Sequence, residues 1–134
     1  MTDSRRRLRS LARLAKVQSE LHRLEEQKLG VLRHRGAELY REKVELIEAL
    51  DGHDTFYGAF IYPMAKRLRV LDQAADDTRV QTEKAVRRVA EQGARKKRAE
   101  RVHAVAEGMC ERADEKNSLL DAIERAARGK TSLP

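Results

Sequence analysis

The sequence predicts an all-α protein in which two long helices fold back on each other as an antiparallel coiled-coil hairpin. The chain is highly charged, with 38% Asp, Glu, Lys and Arg over its whole length. Outside one central stretch, its apolar residues recur at helical steps of mostly three, four and seven. The central stretch also contains Gly52, Gly58 and Pro63, which interrupt helices. It holds all five aromatic residues of the chain: Tyr40, Phe56, Tyr57, Phe60 and Tyr62. Two polar arms joined by an aromatic hinge cannot enclose a thick core, so a helical hairpin is the expected fold.

The first helix is predicted over about residues 4–50, with Asp3 or Ser4 as its N-cap. Its apolar residues form two runs that do not share one heptad frame, because counting sevens from Leu14 and Leu21 places Lys28 and Arg35 on the seam. We therefore predict a stutter between Gln27 and Gly30. The predicted seam consists of Leu11, Leu14, Val17, Leu21 and Leu24, followed by Leu29, Leu32, Leu39, Leu46 and Leu50.

The hinge is predicted over residues 51–63. Asp51-Gly52 is a suitable end for the first helix, since glycine accepts the left-handed conformation that often terminates helices. A short separate turn of helix is expected at 55–62. Pro63 fits the first turn of the second helix, where no amide donor is required.

The second helix is predicted over about residues 64–128, with 129–134 as a disordered tail. Facing positions of the two helices should have residue numbers that sum to roughly 115, which places Lys43 near Asp72 and leaves Lys116 onward without a partner helix. The same register puts Arg5, Arg6, Arg7 and Arg9 opposite Glu107, Glu111, Asp114 and Glu115. The predicted seam is rich in small residues: Leu68, Leu71, Ala75, Ala85, Val89, Ala99, Val102, Val105, Met109, Leu119, Leu120 and Ile123.

Composition limits the compartment and the kinds of partner. One cysteine, Cys110, allows no intramolecular disulfide and suits a reducing compartment, so a cytoplasmic protein is expected. No apolar run is long enough for a signal peptide or a membrane span. The net charge of +7 implies attraction to nucleic acid, anionic lipid or an acidic protein surface.

No catalytic, cofactor or metal site is expected, and we predict that the protein is not an enzyme. His22, His34, His53 and His103 lack the spacing that places two imidazoles on one helical face, and Cys110 has no cysteine neighbour for zinc. A solvated turn explains the group Asp51, His53 and Asp54 better than acid–base chemistry does. The isolated glycines of the second helix form no phosphate-binding loop.

Two basic blocks and the aromatic stretch remain as candidate interaction sites. The first block is Arg5, Arg6, Arg7, Arg9, Arg13 and Lys16, and the second extends from Lys84 to Arg101. Each block is either a solvated helix face or a docking surface for an acidic groove, a phosphate backbone or the lumen of a ring. The aromatic residues either plug the end of the hairpin or bind a partner.

The hinge sequence from Phe60 to Leu71, FIYPMAKRLRVL, lies between two long charged helices and resembles the FliJ/YscO family of type III export. Members of that family are small, basic, cytoplasmic two-helix coiled coils that look like the stalk subunit of rotary ATPases. The resemblance covers nearly the whole chain in length, charge and layout, and its specificity rests on the hinge. Pro63 and Arg67 depart from the flagellar pattern.

The resemblance implies a stalk or adaptor that acts at the inner-membrane export apparatus of a flagellar or host-targeting system. It implies contact with an export-gate membrane protein through Phe60, Met64 and Leu71, to which we add Phe56 and Tyr57 of the hinge. It implies docking into a hexameric export ATPase through Arg5, Arg6, Arg7, Arg9 and Arg13, with export chaperones as a further class of partner and no small-molecule substrate. The alternatives are a basic coiled coil that binds nucleic acid and a structural adaptor of another assembly.

Overall fold

A computed structural model confirms the all-α hairpin. Helix α1 spans Thr2–Gly52, helix α2 spans Tyr57–Thr131, and the two pack against each other in antiparallel orientation. The structure describes the backbone of residues 2–52 and 57–131, and the side chains of residues 3–52 and 60–129. No helix in these ranges is long and apolar enough to cross a membrane.

The helix boundaries differ from those predicted. Helix α1 already begins at Thr2, so Asp3 lies inside the first turn and is not its N-cap. Its carboxylate interacts favourably with the positive end of the helix dipole. Helix α2 begins at Tyr57, so residues 57–62 belong to it and do not form the separate helical turn expected at 55–62. Pro63 therefore lies inside α2, where its ring nitrogen cannot donate a backbone hydrogen bond. The helix continues to Thr131, three residues further than predicted, so residues 129–131 are helical. Residues 132–134 of the predicted tail lie outside the described residues.

Helix α1 presents one uninterrupted heptad seam, and the predicted stutter is wrong. Four predicted seam residues, Leu14, Val17, Leu21 and Leu24, are instead 41–52% exposed. The residues that are buried or half-buried at alternating steps of three and four are Leu8, Leu11, Ala15, Gln18, His22, Glu25, Leu29, Leu32, Gly36, Leu39, Lys43, Leu46 and Leu50. The stutter was inferred only because polar residues occupy the true seam while leucines occupy a neighbouring face.

Helix α2 also follows a single heptad frame. Six predicted seam residues are confirmed as buried or half-buried: Leu68, Leu71, Ala75, Ala85, Val89 and Ala99. Six others are wrong, because they are 48–62% exposed: Val102, Val105, Met109, Leu119, Leu120 and Ile123. The observed seam adds mainly polar and small residues, namely Met64, Thr78, Thr82, Gln92, Lys96, His103, Ala106 and Cys110.

The chain divides into two compact units, of which unit 2 comprises Leu21–Gly93 and contains the connection between the helices. Its cross-helix contacts confirm the predicted register, since Lys43 Nζ lies 2.6 Å from Asp72 Oδ1. Four apolar residues form its buried core: Leu29, Leu39, Leu71 and Ala85. The core is thin because a two-helix contact buries only one stripe of each helix.

Two threonines in the α2 seam of unit 2 form hydrogen bonds within their own helix. The Thr78 hydroxyl, which is buried, donates to the Ala74 carbonyl oxygen at 2.8 Å, and the Thr82 hydroxyl donates to the Thr78 carbonyl oxygen at 2.7 Å. A hydroxyl with an internal partner costs little to bury. Threonine can therefore replace an apolar residue at these seam positions.

Unit 1 comprises Met1–Glu20 and Ala94–Pro134. Its seam brings Leu8, Leu11 and Ala15 of α1 together with small residues of α2, among which Ala99 is the most deeply buried at 9% exposure. Every residue of α2 from 118 to 129 is exposed. This agrees with the predicted extension of the second helix beyond the start of the first.

Candidate functional site

The first candidate site lies at the start of α2. Phe60, Ile61 and Tyr62 are three consecutive large apolar residues with exposures of 55%, 57% and 71%. Met64 is half-buried in the seam. Phe60 and Met64 were expected to contact the export gate, whereas Ile61 and Tyr62 were not assigned to that contact, although both belong to the same apolar run. An exposed cluster of this kind is the type of anchor that protein interfaces use.

Leu71 does not belong to an accessible surface. Its side chain is 3% exposed and lies in the core of unit 2, so the expectation that it contacts a partner is incompatible with its position. Leu71 follows Phe60 at a helical spacing, but it lies on the face of α2 that packs against α1 and not on the exposed face. Phe56 lies outside the described residues, and Tyr57 belongs to α2 but its side chain is not described.

The second candidate site is the basic N-terminal part of α1. Arg5, Arg6, Arg7, Arg9 and Arg13 are all exposed. None of the five forms an ion pair or side-chain hydrogen bond, although all lie within the described side chains. The expected partner Glu107 instead lies 3.8 Å from His103, four residues earlier on its own helix.

Charge is distributed very unequally between the two units. Unit 1 contains 16 of the 29 Lys and Arg residues and 9 of the 22 Asp and Glu residues, so it carries the whole net charge of +7. Unit 2 contains 13 of each and is neutral. In the second basic block, the unit 1 residues Arg95, Lys96, Lys97, Arg98 and Arg101 also form no ion pair with any described side chain. Unit 1 is therefore the part of the chain that attracts anionic partners.

Unit 2, in contrast, forms several ion pairs among its described residues. Lys43 pairs with Asp72, Arg67 Nη2 lies 3.4 Å from Glu42 Oε2, and Arg79 pairs with Glu83 within α2. The hydrogen bond and negative charge of Asp72 raise the pKa of Lys43 above its ordinary value. These cross-helix pairs help to set the register, as charges beside a coiled-coil seam commonly do.

Three histidines form local pairs that the sequence analysis overlooked. Each is followed four residues later by a glutamate: His22 Nδ1 lies 2.8 Å from Glu26, His34 Nε2 lies 2.9 Å from Glu38, and His103 has Glu107. The i, i+4 spacing places both members on one helix face, which explains the contacts. Among the described residues, no three His, Cys, Asp or Glu side chains converge as metal ligands. Cys110 is a half-buried free thiol.

A shallow open groove crosses the helix pair in unit 2. The groove lies where Gly36 of α1 faces Thr78 of α2. A Cβ added at Gly36 would lie 3.8 Å from the methyl carbon of Thr78. Leu39 and Ala75 form its floor, and Tyr40 stands at its rim. Its inner surface is mainly apolar, and the charged residues Arg33, Lys43, Arg79 and Glu83 also line it.

Comparison of this chain with protein-family models, with curated proteins and with solved structures gave no match.

Proposed function

We propose that this protein is a non-enzymatic stalk or adaptor of a type III protein export apparatus. The proposal combines the resemblance of the hinge sequence to the FliJ/YscO family with the antiparallel hairpin and its two candidate surfaces. The observation that carries it is the contrast between an exposed aromatic and aliphatic cluster in unit 2 and a net charge that resides entirely in unit 1. Two chemically different surfaces suit a protein that binds two different partners.

In this role, unit 1 docks into a hexameric export ATPase. The exposed guanidinium groups of Arg5, Arg6, Arg7, Arg9 and Arg13 are available for acidic groups that line a ring, since none is engaged within the hairpin. The protein acts in the cytoplasm at the inner-membrane apparatus and supplies no chemistry of its own. Its effect on the ATPase is to favour ring assembly and to couple nucleotide turnover to opening of the export gate.

The export-gate contact is made by the exposed cluster at the start of α2. Phe60 is its central residue, Ile61 and Tyr62 extend it, and Met64 contributes through its partly exposed side chain. Export chaperones are a further class of partner for the same surfaces.

The ATPase contact is tested with the purified export ATPase of the source organism. Adding the wild-type protein should raise both the hexamer content and the rate of ATP hydrolysis, because a central stalk binds only the assembled ring. Reversing the charge of Arg6, Arg9 and Arg13 should abolish both effects while far-UV circular dichroism shows unchanged helicity. If the wild-type protein changes neither hexamer content nor turnover at any ratio, the stalk role is wrong.

The gate contact is tested by binding to the purified cytoplasmic domain of the export-gate protein. A Phe60→Ala, Tyr62→Ala variant should bind at least tenfold more weakly, as expected for loss of aromatic anchors. Tyr40→Ala is the matched control, since Tyr40 is a 69% exposed tyrosine on the other helix of unit 2. Equal loss in both variants, or in neither, would remove the cluster from the gate contact.

A second candidate function is favoured by the exposed N-terminal arginines and the net positive charge of unit 1, which also suit a nucleic-acid backbone. Unit 1 has no aromatic side chain for base stacking, so such binding should be independent of sequence and steeply reduced by salt. Retention of tight RNA or DNA binding at physiological salt, with no response from the ATPase, would favour this candidate. A purely structural adaptor would show neither activity.

A further inference from the structure

Unit 1 exposes a set of aliphatic side chains that its own seam does not use. Leu14 and Val17 of α1 are 47% and 52% exposed, and Val102, Val105 and Met109 of α2 are 49–61% exposed. These residues were predicted as seam residues because their spacing of three and four is that of a helix-packing stripe. Exposed stripes of this kind commonly mark an interaction surface.

Heptad positions show that the two stripes lie on the same side of unit 1. With the seam residues of each helix at positions a and d, Leu14, Val102 and Met109 occupy position g, and Val17 and Val105 occupy the adjacent position c. In an antiparallel pair, the g positions of both helices flank the seam on one side and the e positions flank it on the other.

The local register brings the two stripes to the same level. Arg5 of α1 and Cys110 of α2 line the same groove, so they lie at about the same level. Moving nine residues forward from Arg5 and nine residues back from Cys110 places Leu14 at the level of Arg101, next to Val102. The leucine and the valine are therefore neighbours across the seam. We name the surface formed by Leu14, Val17, Val102, Val105 and Met109 the g-side face.

The charges beside the g-side face are mainly positive. Arg7 and Arg95 occupy g positions and Arg98 occupies a c position, against one acid, Asp3, at a c position of α1. None of the three arginines forms an ion pair with a described residue. The opposite side of the seam has a different character, since the e positions of α2 in this unit are occupied by Glu100, Glu107 and Asp114. On the e side these acids are accompanied by Arg5, which occupies an e position of α1. A partner with negative charge is thus attracted more strongly to the g side than to the e side.

We infer that the g-side face binds an amphipathic α-helix of a partner protein, with an apolar stripe that packs between the two helices and acidic residues that flank it. The spacing of the aliphatic residues allows side chains of a third helix to interdigitate with them, which completes a local three-helix bundle. Arg95 and Arg98 then pair with carboxylates at the edges of the added helix. The aliphatic residues would be superfluous for a nucleic-acid backbone, and unit 1 lacks the aromatic residues typical of membrane-surface helices.

This inference does not rest on the export role. It concerns the chemistry of one face of unit 1, and it holds for any protein that presents an acidic amphipathic helix. It also differs from the proposed ATPase contact, which assigns binding to five N-terminal arginines, because Leu14, Val102 and Arg98 are outside that set.

The test uses the full-length protein and three labelled synthetic helices of about three heptads each, measured by fluorescence anisotropy at physiological salt. The first has a leucine stripe flanked by glutamates, the second replaces the glutamates by lysines, and the third keeps the glutamates but replaces the leucines by serines. Wild-type protein should bind only the first. Equal binding of the first and third peptides would show charge attraction alone and would overturn the inference.

Two variants of the face test its location. Leu14→Ser, Val102→Ser removes apolar surface, and its control is Val70→Ser, Val80→Ser, since those valines are 51% and 41% exposed in unit 2. The face variant should bind the first peptide at least tenfold more weakly, and the control should bind as wild type does. Circular dichroism verifies that both retain helicity, as expected for exposed positions.

A charge-reversal pair provides the second measurement. The Arg95→Glu, Arg98→Glu variant should no longer bind the glutamate-flanked peptide and should bind the lysine-flanked peptide instead. The control variant Arg5→Glu, Lys97→Glu has the same net charge but changes residues away from the g-side face, so it should still bind the glutamate-flanked peptide. If both variants lose it equally, the g-side face is not the site. Binding to vesicles of phosphatidylserine and phosphatidylcholine that depends on the g-side face, with no peptide binding, would also overturn the inference and assign the face to a membrane surface.

Discussion

The position of the seam in α1 leads to a quantitative prediction for two leucines that the sequence alone treats as equivalent. Leu39 is 2% exposed and Leu24 is 49% exposed. Replacing leucine by alanine removes the equivalent of three methylene groups, or roughly 2.4 kcal/mol when the side chain is fully buried. Leu39→Ala should therefore lower the free energy of unfolding by about 2–3 kcal/mol, with only a small cavity term because the site opens into the groove beside Gly36.

The exposed leucine should behave differently. Leu24→Ala removes about half as much buried surface, roughly 1.2 kcal/mol, and alanine's higher helix propensity offsets part of that loss. Urea denaturation of both variants, followed by far-UV circular dichroism, measures the difference at equal denaturant slope. If Leu24→Ala is as destabilising as Leu39→Ala, the single heptad frame is wrong and the seam shifts across Gln27–Gly30 after all.

Two further predictions concern helix glycines and the cross-helix ion pair. Gly30→Ala should raise the free energy of unfolding by about 0.8–1 kcal/mol, since an added Cβ meets nothing within 4 Å. Gly93→Ala should raise it by less, because the added Cβ would lie 3.3 Å from His22 Nε2. Equal increases for both variants in denaturant titrations would contradict this contact. Because Asp72 raises the pKa of Lys43, their pair stabilises the fold at pH values below the ordinary lysine pKa of 10.5 and loses that effect as pH rises through the higher folded-state pKa. The stability difference between wild type and Lys43→Met should therefore narrow at strongly alkaline pH, and a difference that widens there would contradict the assignment.

The fold class could be predicted because it depends on features that are local in sequence. High charge, helical spacing of apolar residues and a cluster of Gly, Pro and aromatic residues near the middle suffice to predict two helices and a reversal. The register also followed from the chain itself, since the position of the reversal fixes which residues face one another; the 2.6 Å contact between Lys43 and Asp72 confirms it.

The face that each helix buries could not be read from apolar spacing. Helix α1 has two stripes at the same period, and the one with more leucine in its first half is exposed. The buried stripe includes His22 and Glu25, and its partner on α2 includes Thr78 and Gln92. The threonines are accepted there because their hydroxyls bond their own helix. Glu25 reaches Lys28 through Oε1, while its Oε2 is buried without a hydrogen-bond partner.

The candidate sites were predicted unevenly for the same reason. Phe60 and the N-terminal arginines lie on exposed faces, as their use in binding requires, whereas Leu71 has the spacing of a contact residue but the burial of a core residue. Ile61 and Tyr62 could have been included from their place in the same apolar run. The g-side face has no sequence signature distinct from a seam, so only burial separates the two.

The sequence by itself determined that this chain forms two long helices, where they reverse, and which end carries the positive charge, because helix propensity, turn chemistry and charge all belong to short segments. Tertiary structure decided which stripe of each helix is buried and which remains available to a partner. That choice depends on how well the stripes of both helices fit together along their whole contact, since the burial of one residue is defined only by the residue that packs against it.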